Sequence, residues 1–515
     1  LVVIDLIIVL SYFFLIFFIA VSKGYNKNLT ADEYFLSSRK LKWPSIALST
    51  IATNVNGYQF LGMMGSAYLY GLAQANLEIN AIQGLLIAAF IFVPFFIRER
   101  VVTITQFIKK KLGERIALFY SIANISLFST ITLGAALFWG AYAAEMVFKD
   151  YLMFLHENRI IRIAILILLL GLFSAIYTYL GGLSAVVRTD VIQFIILLTG
   201  GLIVLIVSIS HLGGWSELYE QTSEKMHLHL PADHEKLPWT HLFGLFFLNI
   251  NYWCANQTVL QRSLAADNLY HAQTGLMVGG LLKYVMAIII VIPGIALYGI
   301  VGDSLPEPDM AFPYLIQNYI GTGLKGIILC ALFASLMSTV DSTFNSLATL
   351  WSVDIYSSYI NKRATDYQKV NAGRKAIIFS FFTAVSMGFI LLYLKFENPG
   401  AAFTHDLNEF RYYINCAIVI IICSSILFLF PNRKGILFAF LMCIPINIIF
   451  KNFVPDMNYF VRAFWVIIIG LTIAMLSSRG KMNSIKSLFY FNSSRERNFA
   501  IFLVLSLLLV HLFFH

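Results

Sequence analysis

Four hydroxyl side chains in one apolar stretch, Ser335, Ser338, Thr339 and Ser342, are spaced by threes and fours. Such offsets align side chains on one face of an α-helix. Oxygen is the donor that a hard cation such as sodium takes, as calcium and magnesium do. Two of these hydroxyls, added to carbonyls freed at an unwound helix, make a weak, reversible cation site. The alternative is that each hydroxyl bonds back to its own helix. Two charges also lie in apolar surroundings, Glu78 in Asn76-Leu77-Glu78 and Lys283 in Gly279-Gly280-Leu281-Leu282-Lys283-Tyr284. A lone charge there is expensive and usually functional. Pairing with each other or with a shared polar ligand lowers that cost; the alternative for Lys283 is to snorkel to an interface. No nucleophile, base and orienting group recur together, and no phosphate-binding loop is present, so an enzyme is not expected.

The elements that position these groups are membrane spans. The 515 residues are 59% hydrophobic and only 12% charged, against about half and a quarter in a soluble domain. Candidate spans of roughly 20 apolar residues fall near 1–22, 45–71, 76–97, 116–147, 161–180, 186–211, 241–260, 275–300, 322–355, 374–395, 407–430, 435–451, 458–478 and 498–515. That makes about fourteen, so both termini fall on the same side. With the termini outside, most Lys and Arg fall in inside loops, among them Lys23, Lys27, Arg39, Arg98, Lys109, Lys362, Arg363, Arg479 and Lys481. The outside loop 301–311 carries Asp303, Glu307 and Asp309 and no base. This is the positive-inside pattern, and it explains the net charge of +9 without nucleic acid. The sequon Asn28-Leu29-Thr30 then faces inside, where glycosylation is not expected. Cys254, Cys330, Cys416, Cys423 and Cys443 lie in apolar runs without metal-ligand spacing and read as packing residues. The outside loop 212–240, with His211 at its start and His227, His229 and His234 within it, reads as solvated; a metal site is the alternative.

Two spans are too polar to face lipid. One contains Ala52-Thr53-Asn54-Val55-Asn56-Gly57-Tyr58-Gln59, the other Asn249-Ile250-Asn251-Tyr252-Trp253-Cys254-Ala255-Asn256-Gln257. Unpaired amides at mid-depth are costly. With the first span set aside, these are core spans one and six. Matching interruptions five helices apart are what two inverted five-helix repeats produce, with solute and ion bound at the midplane beside discontinuous helices. The alternative is that the amides hold helices together. The expected organisation is a peripheral helix at 1–22, repeats at 45–211 and 241–430, and peripheral helices at 435–515.

At this point the sequence resembles the sodium/solute symporters. The resemblance rests on Glu33-Tyr34-Phe35-Leu36-Ser37-Ser38-Arg39 followed by Gln59-Phe60-Leu61-Gly62-Met63, on Gly181-Gly182-Leu183-Ser184-Ala185-Val186-Val187 with Thr189-Asp190-Val191-Ile192-Gln193, and on Gln261-Arg262-Ser263-Leu264-Ala265-Ala266. Asp341 to Asn345, closing with Val353-Asp354-Ile355-Tyr356, fits as well. The similarity runs from about residue 30 to 360 and points to the bacterial sodium–sugar cotransporters. It implies an all-α, leucine-transporter-type fold and a place in a bacterial inner membrane. It implies sodium at the carbonyls of Ala52 and Val55 and the hydroxyls of Ser335, Ser338 and Thr339. It implies a sugar held by Gln59, Glu78, Asn249 and Lys283, and an inner gate at Tyr252 beside Trp253, supported by Tyr177 and Asn54. Met63 matches an outer-gate residue.

The sequence departs from that pattern at three places. Leu77 stands where the branch has an outer-gate tyrosine. Arg411 stands at a sugar-binding glutamine, so an acidic sugar is an open alternative. Asp341 stands where plain sugar carriers have a small neutral residue; with Ser342 and Asp190 it could form a second cation site, or these acids are helix-end or gating groups. The expected activity is sodium-coupled import of a monosaccharide or similar polyol by alternating access. The rivals are the same machine with sialic acid, an amino acid or another organic anion, and, more remotely, a channel or a membrane sensor.

Overall fold

The computed structural model describes residues 2–22, 29–57, 59–397, 403–478 and 482–515. Lys23, Lys27, Asn28, Tyr58, Arg479 and Lys481 lie outside these. Among the described residues the regular elements are all helical, and eleven helices are long and apolar enough to cross a membrane. The structure is therefore that of an integral, multi-pass membrane protein.

Burial separates inner from outer helices. Leu324–Ile360 has 94% of its apolar window buried inside the protein, against 28% for Val3–Val21 (α1) and 22% for both Arg433–Phe453 and Ser494–Phe513. The central helix can be enclosed because small residues let neighbours approach. Gly200 lies directly against Ala331, for example, and close backbone contact is what holds helices together in lipid.

Both amide-rich segments are breaks in helices, and the sequence explains each one. Trp43–Asn54 (α2) ends at Val55, whose backbone is extended at φ −82, ψ 123. The Gln59 side chain substitutes for the lost helix bonds. Its Nε2 donates to Asn54 O at 3.0 Å, and its Oε1 accepts from Asn56 N at 2.8 Å. The chain then continues through a wide π-type turn, Gln59–Met63. The second break separates His241–Cys254 from Gln257–Leu264, with Asn256 extended between them at φ −92, ψ 113. Here Asn256 Oδ1 accepts from Thr258 N at 2.9 Å, and the Tyr120 hydroxyl donates to Ala255 O. Buried backbone groups must find partners, and these short amides supply them.

The expected spans 161–180 and 186–211 form one helical run, Arg159–Leu212 (α3). At 1.5 Å per residue it is roughly 80 Å long, too long for one crossing. It is interrupted at Gly182, which adopts φ 56, ψ −151, a conformation essentially reserved for glycine. A Cβ at this position would run into the Tyr34 carbonyl.

Candidate functional site

A cavity of about 300 Å³ opens between the two breaks. Gln59, Glu78, Asn249, Trp253, Lys283 and Arg411 all line it. Asn54, Met63, Leu77, Tyr252 and Thr339 are on its wall as well. Lys283 Nζ reaches Glu78 Oε2 at 2.6 Å and also contacts Asn54 Oδ1. Lys283 and Glu78 are 1% and 3% exposed, so each meets the desolvation cost of the other. The snorkelling alternative for Lys283 does not hold, because its ammonium points to the pair and lies 5.2 Å from the Trp253 ring centroid. Trp253 in turn packs edge-on against Tyr252. Asn249 donates to Asn80 O at 3.0 Å, which leaves its own oxygen as an acceptor. A carboxylate, an ammonium and several amides, backed by an indole, can bond the hydroxyls of a small polar solute in either sense.

The hydroxyl row of Leu324–Thr349 meets the first break. Thr339 Oγ1 lies 3.0 Å from Thr53 O, 3.5 Å from Val55 O and 3.2 Å from Ser335 O. Ser335 bonds back to Leu332 O at 2.8 Å, as the alternative reading had it. Ser338 turns instead to Asp190 Oδ1, at 2.5 Å. A hydroxyl that donates its hydrogen keeps its lone pairs, so these bonds leave Ser338 and Thr339 able to face a cation.

Asp190 and Ser342 do not frame an open second site in this structure. The Arg262 guanidinium lies between them, 2.9 Å from Asp190 Oδ2, 2.7 Å from Ser49 Oγ and in contact with Ser342 Oγ. Arg262, Asp190, Ser49 and Ser342 are all buried. Asp341 accepts from Tyr177 and from Ser342, the latter at 3.3 Å. The Tyr177 hydroxyl thus donates to Asp341, and Asn54 contacts both Lys283 and the Tyr252 side chain. Arg262 and Ser49 carried no assigned role in the sequence. The signal for Arg262 was a base in a helix whose other residues are buried; it reads as a loop residue because the break before it hides that helix. Among the described residues no three His, Cys, Asp or Glu form a metal-binding group. The loop histidines find separate partners: His229 Nε2 lies 3.0 Å from His511 Nδ1 on the last helix, His234 packs against Tyr70 and His211 against Tyr319.

The sequence profile of the Sodium:solute symporter family matches residues 34–442. The chain belongs to this family. Relatives of this symporter include the sodium/glucose cotransporter of Vibrio parahaemolyticus, 30% identical over 484 residues, covering 87% of this chain and 85% of the relative. Sodium/glucose cotransporter 4 of Mus musculus is 30% identical, with 78% and 62% covered, and the sodium/myo-inositol cotransporter of Bos taurus 27%, with 84% and 64% covered. The chain thus spans less than two thirds of the length of these mammalian relatives. Among solved structures, a substrate-bound, outward-open Na⁺-coupled sialic acid symporter superposes with TM-score 0.79 at 19% identity, over 94% of this chain and 99% of the other. A nucleobase-cation-symport-1 family transporter in a closed conformation gives 0.51 at 14% identity, over 90% and 97%. The symporter's fold is the one these transporters share.

Proposed function

We propose that this symporter uses an inward sodium gradient to import a monosaccharide-sized, hydroxyl-rich solute by alternating access. The observation that carries this is the cavity itself. Gln59, Glu78, Asn249 and Lys283 converge on it from both broken helices and from the helices that follow each of them. The glucose and myo-inositol carried by the relatives have this chemistry. Sodium binds at the carbonyls of Ala52 and Val55 with Ser335, Ser338 and Thr339. Tyr252 closes the inner path, and Met63 and Leu77 border the other side. The ion drives the cycle only through its different affinity for the outward and inward states. The membrane potential adds about 2.3 kcal/mol per charge per 100 mV.

The same reading divides the chain into fourteen crossings. Each broken pair counts as one crossing, Gln59–Arg98 is divided at Gly71 so that its first part completes the first broken helix, and Arg159–Leu212 counts as two, parted at Gly182. Core helices one to five then fill 45–211 and six to ten fill 241–430, with 1–22 and 435–515 peripheral. What supports this division is the spacing of the two breaks and the low burial of α1, Arg433–Phe453 and Ser494–Phe513.

Replacing Thr339 with alanine removes a hydroxyl shared between the first break and the central helix. In proteoliposomes the variant should need roughly tenfold more sodium for half-maximal uptake. Unchanged sodium dependence would remove the ion from this site.

A further inference from the structure

Arg411 packs over the Tyr412 ring, 5.8 Å from its centroid, and forms no ion pair with any acid among the described residues. Its Nε is buried and has no hydrogen-bond partner among the described residues. Glu409, the acid two residues earlier, is taken by Lys451 at 2.9 Å, by Tyr413 at 3.0 Å and by Arg462. Arg411 and Asn415, one turn apart on Phe403–Leu427 (here α4), both line the cavity. That helix therefore turns a guanidinium and an amide toward the solute.

Among the described residues, the charged ones on the cavity wall are Glu78, Lys283 and Arg411, two cations and one anion. Lys283 and Glu78 neutralise each other at 2.6 Å, so Arg411 supplies the unbalanced charge. A sodium ion at the first break would add a second positive charge. A neutral sugar offers Arg411 only hydroxyls. A carboxylate offers two coplanar oxygens that match the guanidinium fork with parallel N–H···O bonds, and it relieves the cost of a partly desolvated, unpaired charge.

We infer that the cargo is a sugar acid, a hexose-sized ring bearing one carboxylate, and that Arg411 is the residue that selects it. The inference rests on the cavity being the sugar site of a sodium symporter. Glu78, Asn249 and Lys283 bond the ring hydroxyls, while Arg411 and Asn415 hold the carboxylate end.

The test is uptake of labelled glucuronate, galacturonate and glucose into proteoliposomes, with and without an inward sodium gradient. Sodium-driven uptake of a uronate is expected, with glucose competing roughly tenfold more weakly or worse. Arg411→Gln should raise the uronate KM roughly tenfold or more while glucose uptake persists, which also reports that the variant folds. Arg411→Lys keeps the charge but not the fork and should fall between the two. A parent protein that takes up glucose with sodium and ignores uronates overturns the inference and leaves the symporter reading standing. So does an Arg411→Gln variant with an unchanged uronate-to-glucose ratio. Sodium-independent behaviour toward all three solutes overturns the underlying reading and this inference with it.

Discussion

Among single residues, the Lys283–Glu78 pair was legible in the sequence because a charge in an apolar run has few ways to be satisfied. Their surroundings were not legible in full: Asn54, from the first break, joins the pair although it lies 229 residues from Lys283 in the chain. Arg262 escaped for the opposite reason. It occupies a short helix that follows an interruption, so its sequence context looks like a loop while its side chain is completely enclosed with Asp190. Tyr177 was assigned to gate support by resemblance; its hydroxyl donates to Asp341, a partner that the spacing of the two residues in the chain does not reveal. The pair makes a prediction of its own. Glu78→Gln leaves a buried ammonium facing only an amide, which should cost about 3–5 kcal/mol of stability, read as a lower Tm in detergent, and should abolish uptake. Combining it with Lys283→Met should restore most of the Tm and none of the transport. A single variant that melts like the parent would show that the pair is not what holds these helices together.

Helical elements were legible wherever composition was uniform and obscure wherever a helix was broken. The amide-rich segments announced their breaks because Gln59 and Asn256 can replace backbone partners with side-chain atoms. The division of Arg159–Leu212 was visible only as a gap between two apolar windows. The structure shows its cause to be a single backbone conformation at Gly182, with no turn of ordinary length. Gly182→Ala should therefore cost at least about 1–3 kcal/mol from the backbone alone, with a further penalty as the new methyl displaces the Tyr34 carbonyl. Thermal unfolding in detergent gives the measurement. Gly321→Ala is the comparison, since nothing lies within 4 Å of the position a Cβ would take there, and its Tm should stay close to the parent's. Equal melting of the two variants would mean that Gly182 is not a constrained joint.

For the whole molecule, the distribution of charge predicts orientation, and the cysteines make that prediction measurable. All five, Cys254, Cys330, Cys416, Cys423 and Cys443, are free and buried. A membrane-impermeant maleimide should leave the parent protein unlabelled in intact cells. Glu307 and Lys362 are both exposed, the first in the acidic segment after Leu269–Val301 and the second in the basic segment after Leu324–Ile360. One crossing separates them, so they face opposite sides whatever the orientation. Basic loops are retained inside, so Glu307→Cys should label in intact cells and Lys362→Cys only after permeabilisation. The reverse pattern would invert the membrane orientation, and with it the side from which Tyr252 is reached. Labelling of both sites in intact cells would be more damaging. It would mean that Leu324–Ile360, the most enclosed of the candidate spans among the described residues, does not cross the membrane, and the hydroxyl row that meets the first break would lose its place at mid-depth.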